Sequence, residues 1–213
     1  MALAVGCPRC ATPVARIGAG GTWSCPEHGV VRPVRRPEKP SYDDFVAHLD
    51  VAGAFPTYLP WPLEPGWSVT DFAVVGDMGS VSATLMSVGG FTAPDGHVEV
   101  IVVAEETGVG LGARCARTPW PGPGAEAGAG PSTARVRAGG QQVPLWPLTQ
   151  WTNGAEEWER SVLVGEADGR WLWLIFRPAS AALLLQDDWQ LRDVTELGPA
   201  MVELPFGGAG GTW

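Results

Sequence analysis

Cys7-Pro-Arg-Cys10 and Cys25-Pro-Glu-His28, with fourteen residues between them, constrain this chain more than any other feature. Each pair has the spacing of a knuckle that sets two donors on one side of a tight turn. The intervening span is long enough for a hairpin to bring the two knuckles together. Three thiolates and one neutral imidazole can then close a tetrahedral cage, with bonds of about 2.3 Å to sulfur and about 2.0 Å to nitrogen. Cys7, Cys10, Cys25 and His28 are therefore expected to hold one structural Zn2+ in an N-terminal zinc ribbon, because four protein ligands leave no open position for chemistry. Pro8 and Pro26 stiffen the turns, and Gly29 offers a left-handed position after His28. Ala11 stands where the first knuckle usually carries glycine. A ribbon of about forty residues buries too little to fold alone, so metal binding of about 10 kcal/mol would have to supply its stability. The competing reading, a redox Cys-x-x-Cys, would open a helix after a strand, and no strand pattern precedes Cys7.

Charge divides the chain at the end of this module. Residues 1–39 hold Arg9, Arg16, Arg32, Arg35, Arg36 and Lys39 against Glu27 and Glu38, a local +4, so the overall −9 leaves −13 on the rest. A polyanion would be attracted by the first sixth alone and repelled by the remainder. Apolar residues make up 45% and charged residues 17%, which fits a globular chain. The longest apolar run, 171–176, is closed by Arg170 and Arg177 and is too short to span a membrane. The first residues do not resemble a secretory signal, so the expected location is cytoplasmic, where paired thiols favour metal over disulfide.

The expected fold is mainly β (α+β): the zinc ribbon over 1–32, a proline-rich linker over 33–40, and a largely antiparallel β-sheet domain with few short helices over 41–204. A flexible loop is expected within it at 119–133, and a disordered tail at 205–213. Ser41 reads as an N-cap with Asp44 three residues on, opening a helix that buries Phe45, Val46, Leu49 and Ala52. Pro56, Pro60, Pro62 and Pro65 exclude helix and central strand from 55–66 and suggest a strap anchored by Tyr58, Trp61 and Leu63. A docking segment for a proline-reading partner is the alternative. Strands are expected at 67–75, 81–88, 98–104, 134–138, 142–148, 161–167, 170–176 and 182–185. Asp168-Gly169 marks the clearest hairpin, since both positions suit the positive φ of a type I′ turn.

Other candidates for chemistry have plainer structural explanations beside them. Cys115 reads as a buried thiol. His48 and His97 are the remaining possible bases, His97 at an exposed turn. Gly108-Val-Gly110-Leu-Gly112 suggests a nucleotide loop, but the third glycine comes too early for that fingerprint and Glu105 and Glu106 sit where a phosphate would approach. Glu105, Glu106, Asp187 and Asp188 could form a carboxylate site, or stand as solvated strand ends. Trp171 and Trp173 alternate with Leu172 and Leu174, which makes both faces of that strand apolar and argues a covered, central position over an aromatic platform.

In these motifs the chain resembles an uncharacterised actinobacterial family of zinc-ribbon plus β-domain proteins, a domain of unknown function. The likeness rests on Cys7 to Gly29, on Trp61-Pro62 with Gly66-Trp67, on the Glu105 to Arg114 turn and on Trp171-Leu-Trp173. It implies an architecture and no activity. The expected role is a non-enzymatic interaction or adaptor protein with a protein partner, with no catalytic residue assigned. Nucleic-acid binding through Arg9, Arg16, Arg32, Arg35 and Arg36 is the alternative, and an enzyme with a site near the 105–114 turn is a third.

Overall fold

The computed structural model describes residues 3–18, 21–77, 79–92, 95–149, 159–185, 189–197, 203–208 and 213. The strands are β1 (Ala4–Gly6), β2 (Ala15–Ile17), β3 (Thr22–Cys25), β4 (Gly29–Val30), β5 (Val34–Arg36), β6 (Tyr58–Pro60), β7 (Ser68–Val75), β8 (Ala83–Thr92), β9 (Gly96–Glu105), β10 (Ala134–Ala138), β11 (Gln141–Pro147), β12 (Ser161–Ala167), β13 (Arg170–Arg177) and β14 (Gln190–Asp193). The helices are α1 (Tyr42–Ala52) and α2 (Leu111–Ala116). Among the described residues, eleven strands join in the order β1-β5-β7-β8-β9-β13-β12-β11-β10-β14-β6, and β2-β3-β4 form a separate small sheet. Pairing is antiparallel except between β10 and β14. The protein is thus mainly β with few short helices.

Strand β13 shows why the sheet needs cover on both sides. Leu172, Leu174 and Phe176 enter one core while Trp173 and Ile175 enter the other, as the alternation of the sequence requires. On the inner side the sheet curls over itself. Strand β11 pairs with β10 along its length and with β12 only through Trp146 and Pro147, so the chain turns a corner there. Strand β6 is thereby laid across β8 and β9. Phe45 of α1 and Tyr58, Leu59 and Trp61 of the strap complete this inner core. On the outer side Leu111, Ala113, Cys115 and Ala116 of α2 pack on Leu85, Val103 and Trp173.

A bulge in β7 decides which residues reach which side. The register shifts between Val69 and Asp71, so that Val69 and Phe72 both belong to the inner core and Asp71 lies with Ala73 on the outer face. Helix α1 starts as its cap predicts, with the Asp44 amide donating to Ser41 Oγ at 3.2 Å. The Asp168-Gly169 hairpin has φ of 51° and 73°, the two positive values a type I′ turn requires.

Several expectations need correction. Val46 is exposed, and the buried face of α1 is made by Phe45, His48 and Ala52. Residues 182–185 are not a strand: Ala179–Leu184 forms a 3-10 turn, because Pro178 ends the ladder of β13 and the run that follows has no β-branched residue. The 33–40 stretch holds β5, which pairs with both β1 and β7; its prolines flank residues 34–36 and remove none of their donors. The strap contains the strand β6, paired with β14, its Pro60 at the last position where no ladder donor is required. In the tail, Phe206 bridges Val69 and packs on Phe45 and Phe72, since β5 pairs with β7 only at Val74 and Val75 and leaves that edge open at Val69. Residues 209–212 lie outside the described residues. The 119–133 segment carries a short 3-10 turn, Gly124–Glu126, and is tied by the Trp146 indole donating to Gly130 O at 3.0 Å.

Among the described residues no helix is long and apolar enough to cross a membrane. The corner at β11 depends on Gly165, where a Cβ would overlap the carbonyl oxygen of Pro144. Gly165→Ala should therefore destabilise the protein by about 1–3 kcal/mol through overpacking, read as a lower urea midpoint at unchanged slope.

Candidate metal centre

Cys25 ends β3 and pairs with Gly29, so the second knuckle is the turn between β3 and β4, with Gly29 at the expected positive φ of 66°. The first knuckle leaves β1 directly. Its Arg9 amide donates to Cys7 Sγ at 3.4 Å, the bond that a thiolate in such a turn accepts. One donor atom from each of Cys7, Cys10, Cys25 and His28 lies within 4.8 Å of all the others, which brings the four predicted residues close enough to bind one metal ion. Cys7 Sγ and Cys25 Sγ stand 3.7 and 3.6 Å from His28 Nδ1, and Cys10 Sγ is 3.6 Å from Cys25 Sγ. A regular tetrahedron with bonds of about 2.3 Å has edges of about 3.8 Å, so the donor set already has the dimensions of a four-coordinate site. Burial pushes the Cys7 thiol up to about 11. Burial also raises Cys25, but hydrogen bonding to His28 and to the amides of Glu27 and His28 outweighs it and brings that thiol down to about 6.

The metal loop is fixed to the main sheet by two arginines. Arg9, between the first two cysteines, donates to Val109 O at 3.1 Å and to Gly108 O. Arg114 of α2 reaches back to Cys7 O at 2.6 Å. The same arginine and Arg36 lie over the indole of Trp213, at 4.9 and 4.4 Å from the ring centroid. The Trp213 indole donates to Asp71 Oδ2 at 2.8 Å, and Arg36 pairs with that oxygen at 2.5 Å. Asp71 is buried, and burial, partly offset by Arg36 and Trp213, raises its pKa to about 6. Sequence reasoning missed this cluster; its signal was a carboxylate inside an otherwise apolar strand.

The five ribbon-side arginines proposed for phosphates sit as follows. Arg9 and Arg36 are engaged as above, Arg35 pairs with Asp77, Arg32 lies 3.5 Å from Glu106, and Arg16 stacks over Trp23 at 4.9 Å. Four of them thus bond to the main domain, two through its exposed acids.

The glycine turn is also filled from within. Glu105 at the end of β9 accepts the Leu111 and Gly112 amides at 2.8 and 3.2 Å, so the loop's donors face the protein's own carboxylate. Burial raises Glu105 to about 7 despite these bonds. Gly112 is required because the Trp173 indole occupies the space of its Cβ. Glu106 is exposed, and Asp187 and Asp188 lie outside the described residues. The 105–114 turn packs on the outer core and the strap on the inner one, and a cleft of about 290 Å³ beside Glu106 to Val109 is bounded by Arg9, Val30 and Arg32 of the N-terminal module. Cys115 is fully buried, and burial lifts its thiol far above the ordinary range. His97 is exposed.

His48 is a core residue. It stacks on Phe45 at 5.9 Å, meets Phe72 edge-on at 5.3 Å, and lies 3.3 Å from Thr57 Oγ1 through Nε2. Burial lowers its pKa from 6.5 to about 3. As pH falls the unfolded chain therefore takes up this proton first. The stability that neutral His48 contributes is complete above about 6.5 and is lost as pH falls toward 3. In urea titrations at each pH, the wild type should lose about 2 kcal/mol more than His48→Leu between pH 7 and pH 5.

A search of curated proteins and of solved structures finds no match. The match to a family model spans residues 1–212, and it is this near-complete coverage that places the chain in the Family of unknown function (DUF6758).

Proposed function

We propose that this chain is a non-enzymatic interaction protein whose ribbon is held by one structural Zn2+ and presents its surface to a protein partner. The docked ribbon carries the reading. Three sulfur donors and one imidazole at tetrahedral spacing suit zinc, and with four protein ligands no position remains for a substrate. Arg9 and Arg114 hold the metal loop on the outer face. The ribbon hairpin leaves Ile17 45% and Val30 68% exposed, an apolar surface on an otherwise charged module. The groups a reaction would call on have other engagements: Glu105 with amides, Asp71 with Arg36 and Trp213, His48 with phenylalanines. A reducing cytoplasmic setting accords with four cysteines that form no disulfide.

Metal analysis of the purified chain should find one zinc per molecule, and Cys25→Ser should lose it together with amide protection across β2–β4. A chain that carries another metal, or keeps full protection without any, removes the structural-zinc reading. For the interaction, Ile17→Ser with Val30→Ser should abolish cross-linking to the partner captured by the wild type while zinc content is unchanged. Identical capture by both proteins, or turnover of a small substrate by the purified chain, would overturn it.

A further inference from the structure

A second site lies at the other end of the curled sheet, remote from the metal. There the strap, β14, the Gly139-Gly140 turn and the Asp168-Gly169 turn surround a cleft of about 540 Å³, within the ~300–1,000 Å³ range of small-ligand sites. Its side chains come from segments far apart in sequence, so the concavity is a product of the fold and not of one loop.

The charges of the cleft balance. Arg137, Arg170 and Arg192 face Asp168, Asp193 and Glu196. An anion would need an excess of the first set and a cation an excess of the second. Equal numbers of fixed donors and acceptors instead suit a neutral ligand with many hydroxyls, each of which both donates and accepts. The carboxylate of Asp193 is held rigidly, its Oδ1 accepting from the Thr57 amide at 3.0 Å and from Thr195 N and Oγ1 at 3.0 and 2.8 Å. Arg170 is set by its guanidinium lying over Phe55 at 4.7 Å.

Two aromatic side chains complete the site. Trp61 packs against the inner core and is braced by Arg192, 5.5 Å from its ring centroid, with part of the indole left to the cleft. Such a surface matches the aliphatic face of a sugar ring. Tyr58 is 4% exposed as a residue, and it lines the cleft. The hydroxyl points toward the space that Gly139 leaves open, where a Cβ would stand 3.7 Å from it. Burial and the nearby Asp168 and Asp193 raise this phenol to about 12, so it remains a neutral donor and acceptor.

We propose that this cleft binds a saccharide, with one sugar face on Trp61 and ring hydroxyls bonded to Tyr58, Gln190 and the charged side chains around them. The site is independent of the metal and of the ribbon surface.

Saturation-transfer NMR on the full chain with maltose, cellobiose, trehalose and diacetylchitobiose tests it, with inorganic phosphate and triglycine as parallel arms. At least one saccharide should bind in the millimolar range or tighter. Tyr58→Phe, which removes a single oxygen, should weaken binding by about tenfold, the usual effect of one hydrogen bond. Trp61→Ala should abolish it, and Trp120→Ala, a change at an exposed tryptophan outside the cleft, should leave it intact. Circular dichroism and zinc content confirm that each variant is folded. Failure of all four saccharides to bind, binding of phosphate or triglycine in their place, or saccharide binding unaffected by Tyr58→Phe would overturn the proposal.

Discussion

The burial of both faces of the β8-β9-β13 layer is the constraint from which most of this structure follows. Apolar side chains alternate to either side of these strands, so neither face can be left to water. The inner face is covered by the sheet's own continuation, which turns at β11 and returns as β10, β14 and β6. The outer face has no such continuation, and α2 with the glycine turn covers it instead. Because α2 has six residues, it is held by tertiary bonds more than by its own ladder. Glu105 at its start and Arg114 near its end supply those bonds, and Arg114 is also the group that reaches the metal loop.

Buried charge is arranged so that each carboxylate meets donors, and this sets how the protein answers to pH. Asp71 and Glu105 have pKa values raised to about 6 and about 7. The folded chain therefore takes up these protons before the unfolded chain does. Their contribution grows as pH falls through those values and is lost as pH rises through them. His48 acts in the opposite sense over an overlapping window. The two tendencies offset one another between roughly pH 7 and pH 5, so a wild-type stability profile is flatter than any one group implies. Single substitutions expose slopes that the intact protein conceals.

Much of this fold was legible in the sequence where local chemistry is decisive. Ser41 with Asp44 marks a helix start, Asp168-Gly169 a hairpin, and the alternation at 171–176 a doubly covered strand, each because one or two residues determine the outcome. The clustering of Cys7, Cys10, Cys25 and His28 was legible for the same reason: knuckle spacing is a local property. What stayed hidden depends on partners distant in the chain. The proline-flanked 33–40 segment looks like a linker until β1 and β7 are placed on either side of it. Asp71 reads as an interruption of a strand until the bulge turns it toward Arg36 and Trp213. The Tyr58 and Trp61 cleft is assembled from four separate segments, and no spacing rule could have brought them together.

The position of the four-donor module in the chain alters what a metal ion bound there would have to accomplish. The polypeptide passes along the sheet as β1, leaves through Cys7, and returns as β5, with Gly6 paired to Val34. The ribbon is an excursion between two hydrogen-bonded strands, and its ends are already held together when the sheet forms. The entropy of closing that excursion, which an isolated ribbon would have to overcome on binding metal, is met in part by strand pairing. The exchange runs both ways, because an ordered metal loop presents Cys7 O to Arg114 and Arg9 to the glycine turn, and so holds β1 and β5 at the sheet edge. The affinity of a metal ion bound at the four donors and the stability of that edge would consequently be one linked quantity. Arg114, which bonds the metal loop and stacks on Trp213 beside Asp71, carries the linkage from the four-donor site to the buried charge of the outer core.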